Sequence, residues 1–296
     1  MDLKTYLKEK RIIVDEALND HFTEYSGPAS DLIKSMKYSL SAGGKRLRPI
    51  LCMAGAEAVG GKGRDVVPIA CALELIHTYS LIHDDLPEMD DDDLRRGKPT
   101  NHKVFGEALA LLAGDGLLTE AFSMMTTPEL TKLFAPDTIL KVISLISDAA
   151  GYRGMVGGQV ADIQSEGKSV DISVVEFIHT HKTGALLTAS VTSGAMLGGG
   201  NTSQVDAILS YGRNIGLAFQ ISDDILDIEG DSETLGKNTG MDEKMGKITY
   251  PGVVGLKRAK EIQSALIEKA IESLSTFDYR AEPLRLIAGY IIERKK

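Results

Sequence analysis

Apolar residues recur at helical spacing through almost the whole chain, and the alternating β-branched runs that mark strands are nearly absent. The pattern predicts a first amphipathic helix over 2–24, ended by Ser26-Gly27-Pro28, and a second over 29–40, stopped by Ala42-Gly43-Gly44. Pro49 suits the first turn of a third helix, which runs to about Val59 before Gly60-Gly61-Lys62-Gly63 breaks it. A fourth, over 66–85, must end near Leu86, because the residue before Pro87 is pushed out of the α region. Further helices are predicted over 103–126, 137–151, 173–179, 183–198, 203–229, 253–276 and 280–293. The 203–229 segment is apolar on most faces and should be buried among the others. Asp231 to Gly252 is polar, with glycines at 236, 240, 246 and 252, and reads as a mobile loop. With no repeat and no low-complexity linker, residues 1–296 are expected to form one helical-bundle domain.

Charge changes this picture first at the end of the fourth helix. Seven carboxylates fall between Asp84 and Asp93, and Arg95, Arg96 and Lys98 follow. Taken alone, such a run is more often a solvated turn or a calcium loop. Carboxylate oxygens also suit a hard divalent cation such as Mg2+. Asp84 and Asp90 are six positions apart, about 240° round a regular helix, so an unbroken helix aims them apart; Pro87 supplies the break that lets Asp90 fold back. A second cluster, Asp223, Asp224 and Asp227, lies 139 residues after the first. Its spacings of three and four put the carboxylates on one helical flank, with Gln220 a turn earlier. By itself it reads equally as an acidic face in water. Together, the two clusters can face each other across a bundle cavity and hold several Mg2+ with phosphate oxygens.

The basic residues support an anionic ligand. Lys45, Arg46 and Arg48 stand beside a glycine turn and a helix start, a good anion site. Lys182 precedes the 183–198 helix, and Lys237 and Lys247 sit in the loop. The net charge of −9 argues against nucleic acid as a partner, so an anion must be met by metal ions and a local basic patch. A hydrophobic fraction of 43% leaves ample core material. The mean hydropathy is −0.04. No run of the roughly 20 apolar residues needed to cross a bilayer is evident, so no stable membrane anchor is expected. Met1 to Leu18 lacks the apolar stretch of a secretory signal. Cys52 and Cys71 lie in apolar helical patterns and read as core thiols, which together with the preceding points predicts the cytoplasm.

Five motifs carry a resemblance: GGKRLRP (43–49), LIHDDLPEMDDDDLRRGKPTNH (81–102), GMVGGQ (154–159), HKTGALL (181–187) and FQISDDILD (219–227). The segments 235–244 and 247–251 extend it. The chain resembles the trans-isoprenyl diphosphate synthases, with the bacterial farnesyl diphosphate synthases the most similar branch. The resemblance implies the all-α isoprenoid synthase fold, about 10 to 13 mostly antiparallel helices round a central cavity, usually as a homodimer. It implies head-to-tail 1′–4 condensation of isopentenyl diphosphate with dimethylallyl and geranyl diphosphate, with three Mg2+ held by Asp84, Asp85, Asp90, Asp223, Asp224 and Asp227. Arg95, Lys182 and Lys237 are implied as further ligands of the allylic diphosphate, with Thr183 and Gln220 nearby. Lys45, Arg48, His77 and Arg96 are implied as the isopentenyl diphosphate site, with Arg46 beside them, and Lys247 as a residue of a closing loop. Lys182, Thr183 and Gln220 would stabilise the allylic cation.

In this family the product grows beneath the first Asp motif. The resemblance therefore makes Tyr79 and Ser80, five and four residues before Asp84, candidates for setting product length, with Tyr79 blocking growth past C15. Its depth of about 7–8 Å below Asp84 requires an extended C15 tail to run obliquely or beside the ring. The alternative reading of Tyr79 is ordinary core. The rival readings are a geranylgeranyl or other short-chain synthase and, from another class, a non-catalytic subunit of a heteromeric prenyltransferase. Such subunits commonly lack one Asp motif, and both are present here. Two departures from the family pattern stand out: Asn238 follows Lys237 where proline is common, and Glu88 occupies a usually small position.

Overall fold

A computed structural model of the chain describes residues 1–22, 26–168, 170–229 and 248–293. Lys237, Lys247 and the loop expected over 231–252, up to residue 247, lie outside the described residues. The described part is almost wholly helical: α1 (Leu3–His21), α2 (Ser30–Leu40), α3 (Leu47–Ala58), α4 (Val67–Asp84), α5 (Asn101–Phe105), α6 (Glu107–Met125), α7 (Pro128–Leu133), α8 (Pro136–Ala150), α9 (Met155–Ser165), α10 (Ile172–Ile178), α11 (Ala185–Leu197), α12 (Thr202–Glu229), α13 (Tyr250–Val254), α14 (Leu256–Ser273) and α15 (Glu282–Glu293). The strands among the described residues are the two-residue pair Leu94–Arg95 and Lys98–Pro99, closing a hairpin. A π-helical segment, His179–Gly184, joins α10 to α11.

Small residues position the central helices. In α11, almost every side chain is buried, and Gly194 lies so close to the carbonyl of Cys52 in α3 that a Cβ would collide with it. Gly55 meets the carbonyl of Val191 in the same way from the other side. One hydrophobic cluster groups α4 with residues of α1, α3, α6 and α8, and a second groups α3, α11, α12, α14 and α15. Burial at this scale, about 25 cal/mol per Å2 of apolar surface, is what offsets the chain entropy. Cys52 and Cys71 are buried free thiols, as the pattern predicted.

Two expectations change. The helices expected over 103–126 and 253–276 are interrupted at Gly106 and Gly255, whose φ of +83° favours glycine, giving α5 and α6 in the first case and separating α13 from α14 in the second. Two stretches, Gly63–Asp84 and Glu107–Leu133, are long and apolar enough to cross a membrane, where none was expected. Counting unbroken apolar runs missed them because they tolerate one or two charges per window. The first is 67% buried inside the bundle and the second 39%.

Candidate active site

The first acidic wall forms where α4 stops. Its apolar face is packed as far as Ile82, and Pro87 prevents continuation. The chain then turns back on itself, the N–H of Asp90 donating to the carbonyl of Asp84 at 2.9 Å. Asp90 is thus brought to the helix end, as the Pro87 break predicted. Burial pushes the Asp84 carboxyl up to about 6, with Asp90 and Asp85 adding to the rise and Lys182 and Arg95 opposing it. Asp85 is buried, and Arg95 Nε donates to its Oδ1 at 2.5 Å. Arg95 also reaches Asp92, while Lys103 pairs with Asp93 at 2.8 Å, so part of the surplus acid secures the loop. Thr100 Oγ1 donates to the carbonyl of Asp92 at 2.7 Å and ties the hairpin down.

The second wall lies in α12. Asp223 is exposed, Asp227 half-buried and Asp224 buried. Adjacent residues differ by about 100° round a helix, which turns Asp224 towards the π segment. Its Oδ2 accepts the N–H of Tyr250 at 2.7 Å and lies 2.9 Å from His179 Nε2. The expectation of three carboxylates serving one face therefore meets a structure in which Asp224 is engaged with protein groups. Gln220 is half-buried one turn earlier.

The π segment serves both walls. It packs on α12 where Gly184 meets Gly216, and its Lys182 is within electrostatic range of Asp84 and Asp90. Lys182 Nζ donates to Asp162 Oδ2 on α9 at 2.5 Å. Burial lowers the lysine's pKa, but Asp162, Asp84 and Asp90 outweigh it, and the net direction is up. Thr183 is half-buried beside it. Asp162 was not singled out from the sequence, although the signal was present. Gly158 in GMVGGQ leaves no room for a Cβ against the Lys182 backbone, and Asp162 is four residues on, the same face of α9.

The basic residues divide. Arg48, Arg96 and His77 come together: burial pushes the Arg48 pKa down to about 10, with Arg96 adding to the fall. Burial and then Arg48, Arg96, Arg95 and Arg46 hold the His77 pKa well below the usual histidine range. The Nε of Arg48 is buried without a hydrogen-bond partner. Arg96 donates to the carbonyl of Gly43 and fits against Gly44, whose φ is +131° and where a Cβ would meet the guanidinium at 2.7 Å. Arg46 is turned inward instead: it pairs with Asp15 at 2.8 Å and Glu74 at 2.7 Å and donates to the carbonyl of Leu40. Lys45 is exposed and lines a separate cavity of about 240 Å3 with Leu7, Arg11, Phe219 and Ile287. Below Asp84, Tyr79 is buried in the core cluster with its ring edge-on to His83, and Ser80 Oγ donates to its own helix at His77.

Each half of the site is electrostatically incomplete, with opposite sign. A divalent cation suits the surplus carboxylates, and an anion suits the mutually repelling cations. Among the described residues no three Asp, Glu, His or Cys side chains converge as a closed metal cage. Magnesium bound through one or two carboxylates plus phosphate oxygens needs none.

An all-α bundle with this paired acidic and basic site is the architecture of isoprenyl diphosphate synthases, and the comparisons agree. The polyprenyl synthetase family profile matches residues 30–281. The chain is 49% identical to a geranylgeranyl diphosphate synthase of Cyanophora paradoxa, covering 99% of this chain and 97% of that one. It is 47% identical to a farnesyl diphosphate synthase of Geobacillus stearothermophilus, covering 99% and 98%. The crystal structure of an FPP/GFPP synthase from Zymomonas mobilis superposes with a TM-score of 0.89 at 38% identity, over 98% of each chain. The chain belongs to the polyprenyl synthetase family. It is a trans-prenyl diphosphate synthase, a prenyltransferase of isoprenoid biosynthesis.

Proposed function

We propose that the protein is a farnesyl diphosphate synthase, joining isopentenyl diphosphate to dimethylallyl and then geranyl diphosphate with release of diphosphate. The observation that carries this reading is Tyr79, bulky and buried five residues before Asp84. A ring there limits the apolar space beneath the first acidic wall. Asp84, Asp90, Asp223 and Asp227 would hold Mg2+, three ions per site, whose contribution is Lewis-acid neutralisation of the leaving diphosphate.

The protein groups do the rest. Arg95, Lys182 and Lys237 receive the allylic diphosphate, and Asp85 and Asp162 fix the first two of these cations in place. The Thr183 hydroxyl and Gln220 amide oxygen offer dipoles to the allylic cation. Arg48, Arg96 and His77 receive isopentenyl diphosphate, and the unpartnered Arg48 Nε supports an anion there. His77, held neutral by burial and the arginines until the diphosphate enters, adds a further donor. Exclusion of water protects the cation until the isopentenyl double bond attacks.

A geranylgeranyl product is the second reading, favoured by the equally close relative from Cyanophora paradoxa. Incubation with isopentenyl and geranyl diphosphates and Mg2+, followed by dephosphorylation and chromatography, separates the two. Farnesol as the main alcohol supports the C15 reading, and geranylgeraniol overturns it. Tyr79→Ala should lengthen the product; a variant that still stops at C15 removes Tyr79 from that role. A cytoplasmic homodimer completes the proposal, supported by the exposed Leu111, Leu112 and Phe122 on α6 and by the free thiols. Light scattering of the wild type and of Leu112→Glu tests the dimer.

A further inference from the structure

We propose that Asp224 is a positioning residue and not a metal ligand: it clamps α12 to the π segment and to the first residue of α13, Tyr250. This inference rests on the prenyltransferase reading above and deepens it. One carboxylate oxygen, Oδ2, takes both the N–H of Tyr250 at 2.7 Å and the His179 Nε2 contact at 2.9 Å. The clamp is extended by Tyr250 itself, whose hydroxyl donates to Glu176 Oε1 on α10 at 2.8 Å. The Tyr250 and His179 rings lie nearly parallel, 6.1 Å apart. Behind them Val175, Ile221, Ile225, Tyr250 and Ala259 form a buried apolar cluster shared by α10, α12, α13 and α14.

Three physical consequences follow. A buried carboxylate that accepts protein donors inside such a cluster is a poor partner for an ion at the face where Asp223 is exposed. The clamp fixes the rotation of α12, and with it the direction of Asp223 and Asp227. It also holds the π segment, and so Lys182 and Thr183, against the second wall. The role is therefore geometric, and an amide oxygen can supply most of it. The Asp224→Asn substitution keeps an acceptor for the Tyr250 N–H and the His179 ring, whereas a metal ligand converted from carboxylate to amide loses its charge.

The test compares Asp224→Asn, Asp224→Ala, His179→Phe and Asp223→Asn in the full-length enzyme. The readouts are kcat, the Mg2+ concentration for half-maximal rate, and hydrogen exchange across 249–254. Asp223→Asn should raise the Mg2+ requirement by about tenfold or more, and Asp224→Asn by less than about twofold. Asp224→Ala should speed exchange of the Tyr250 amide by about tenfold or more, with kcat falling, and the asparagine variant should restore both in large part. His179→Phe, which keeps the ring and removes the donor, should move exchange in the same direction by less. The proposal is overturned if Asp224→Asn shifts the Mg2+ requirement as far as Asp223→Asn does, or if Asp224→Ala leaves Tyr250 exchange unchanged. Should the alanine variant not fold, the same two decisions are read from the asparagine and His179→Phe variants. Absence of prenyl transfer by the wild type would sink the functional reading, while the exchange arm would still report on the clamp.

Discussion

The two Asp-Asp pairs look alike in sequence and are built in opposite ways. Asp84-Asp85 ends a helix, with a proline turn bringing a further acid back over the terminus. Asp223-Asp224 sits inside an unbroken helix, where the third acid is simply one turn on. Yet each pair divides its labour in the same manner. The first member keeps some exposure, and the second is buried on a protein partner, Arg95 in one case and His179 with the Tyr250 N–H in the other. In this chain each doubled aspartate thus sets a more exposed carboxylate beside a buried one held by protein donors.

The largest effects should come from the more exposed members. Asp84→Ala and Asp223→Ala should each lower turnover by about three orders of magnitude or more at saturating Mg2+, because each removes charge at the diphosphate. Near-normal turnover in either variant breaks the comparison. The buried members should instead be read in stability. Asp85→Ala removes the buried partner of Arg95 and leaves it only the more exposed Asp92 at 3.2 Å, which should destabilise by about 1–2 kcal/mol in urea unfolding. No change in the unfolding midpoint would show that Asp85 anchors nothing.

Asp84 should behave in the reverse sense, which sharpens the contrast within the first pair. Its folded pKa is raised to about 6, above the unfolded value of 3.8. The stabilising contribution of this group is therefore full below about pH 4 and is lost as pH rises through 6. At pH 8 in EDTA the ionised carboxylate costs on the order of 2–3 kcal/mol. Asp84→Asn should recover most of that while losing activity, the gain appearing between pH 4 and 6 and then levelling. A variant less stable than the wild type at pH 8 would refute this sign.

The helices were readable because apolar periodicity and Gly or Pro stops agree: α2, α3, α8 and α12 fall within one or two residues of their predicted ends. The gap left between 179 and 183 is where the π segment lies. Long-range pairings were not readable. Nothing adjacent to Arg46 announces that Asp15 and Glu74 will draw it into the core, away from its basic neighbours. Helix α9 was not among the predicted helices, and its Gly158, inside GMVGGQ, serves close approach to the Lys182 backbone. His179 and Tyr250, 71 positions apart in sequence, acquire meaning only when the fold brings both to Asp224.

The smallest effect belongs to the basic half of the site and should run against that of Asp84. Burial and the surrounding Arg48, Arg96, Arg95 and Arg46 hold the His77 pKa well below its usual value of 6.5. The unfolded chain then binds a proton that the folded one refuses, so stability is intact above pH 6.5 and falls as pH drops below it. The slope for this one group is at most about 1.4 kcal/mol per pH unit. His77→Gln should remove it, so the wild type and the variant should run parallel above pH 6.5 and separate below, the variant losing less. Pyrophosphate supplies negative charge among the arginines, which raises the His77 pKa, so that binding takes up a proton below pH 6.5. Calorimetry in two buffers of different ionisation heat reads that uptake directly. Equal proton uptake by the wild type and His77→Gln, or curves that separate above pH 6.5, would show that the acid sensitivity of the basic half lies elsewhere.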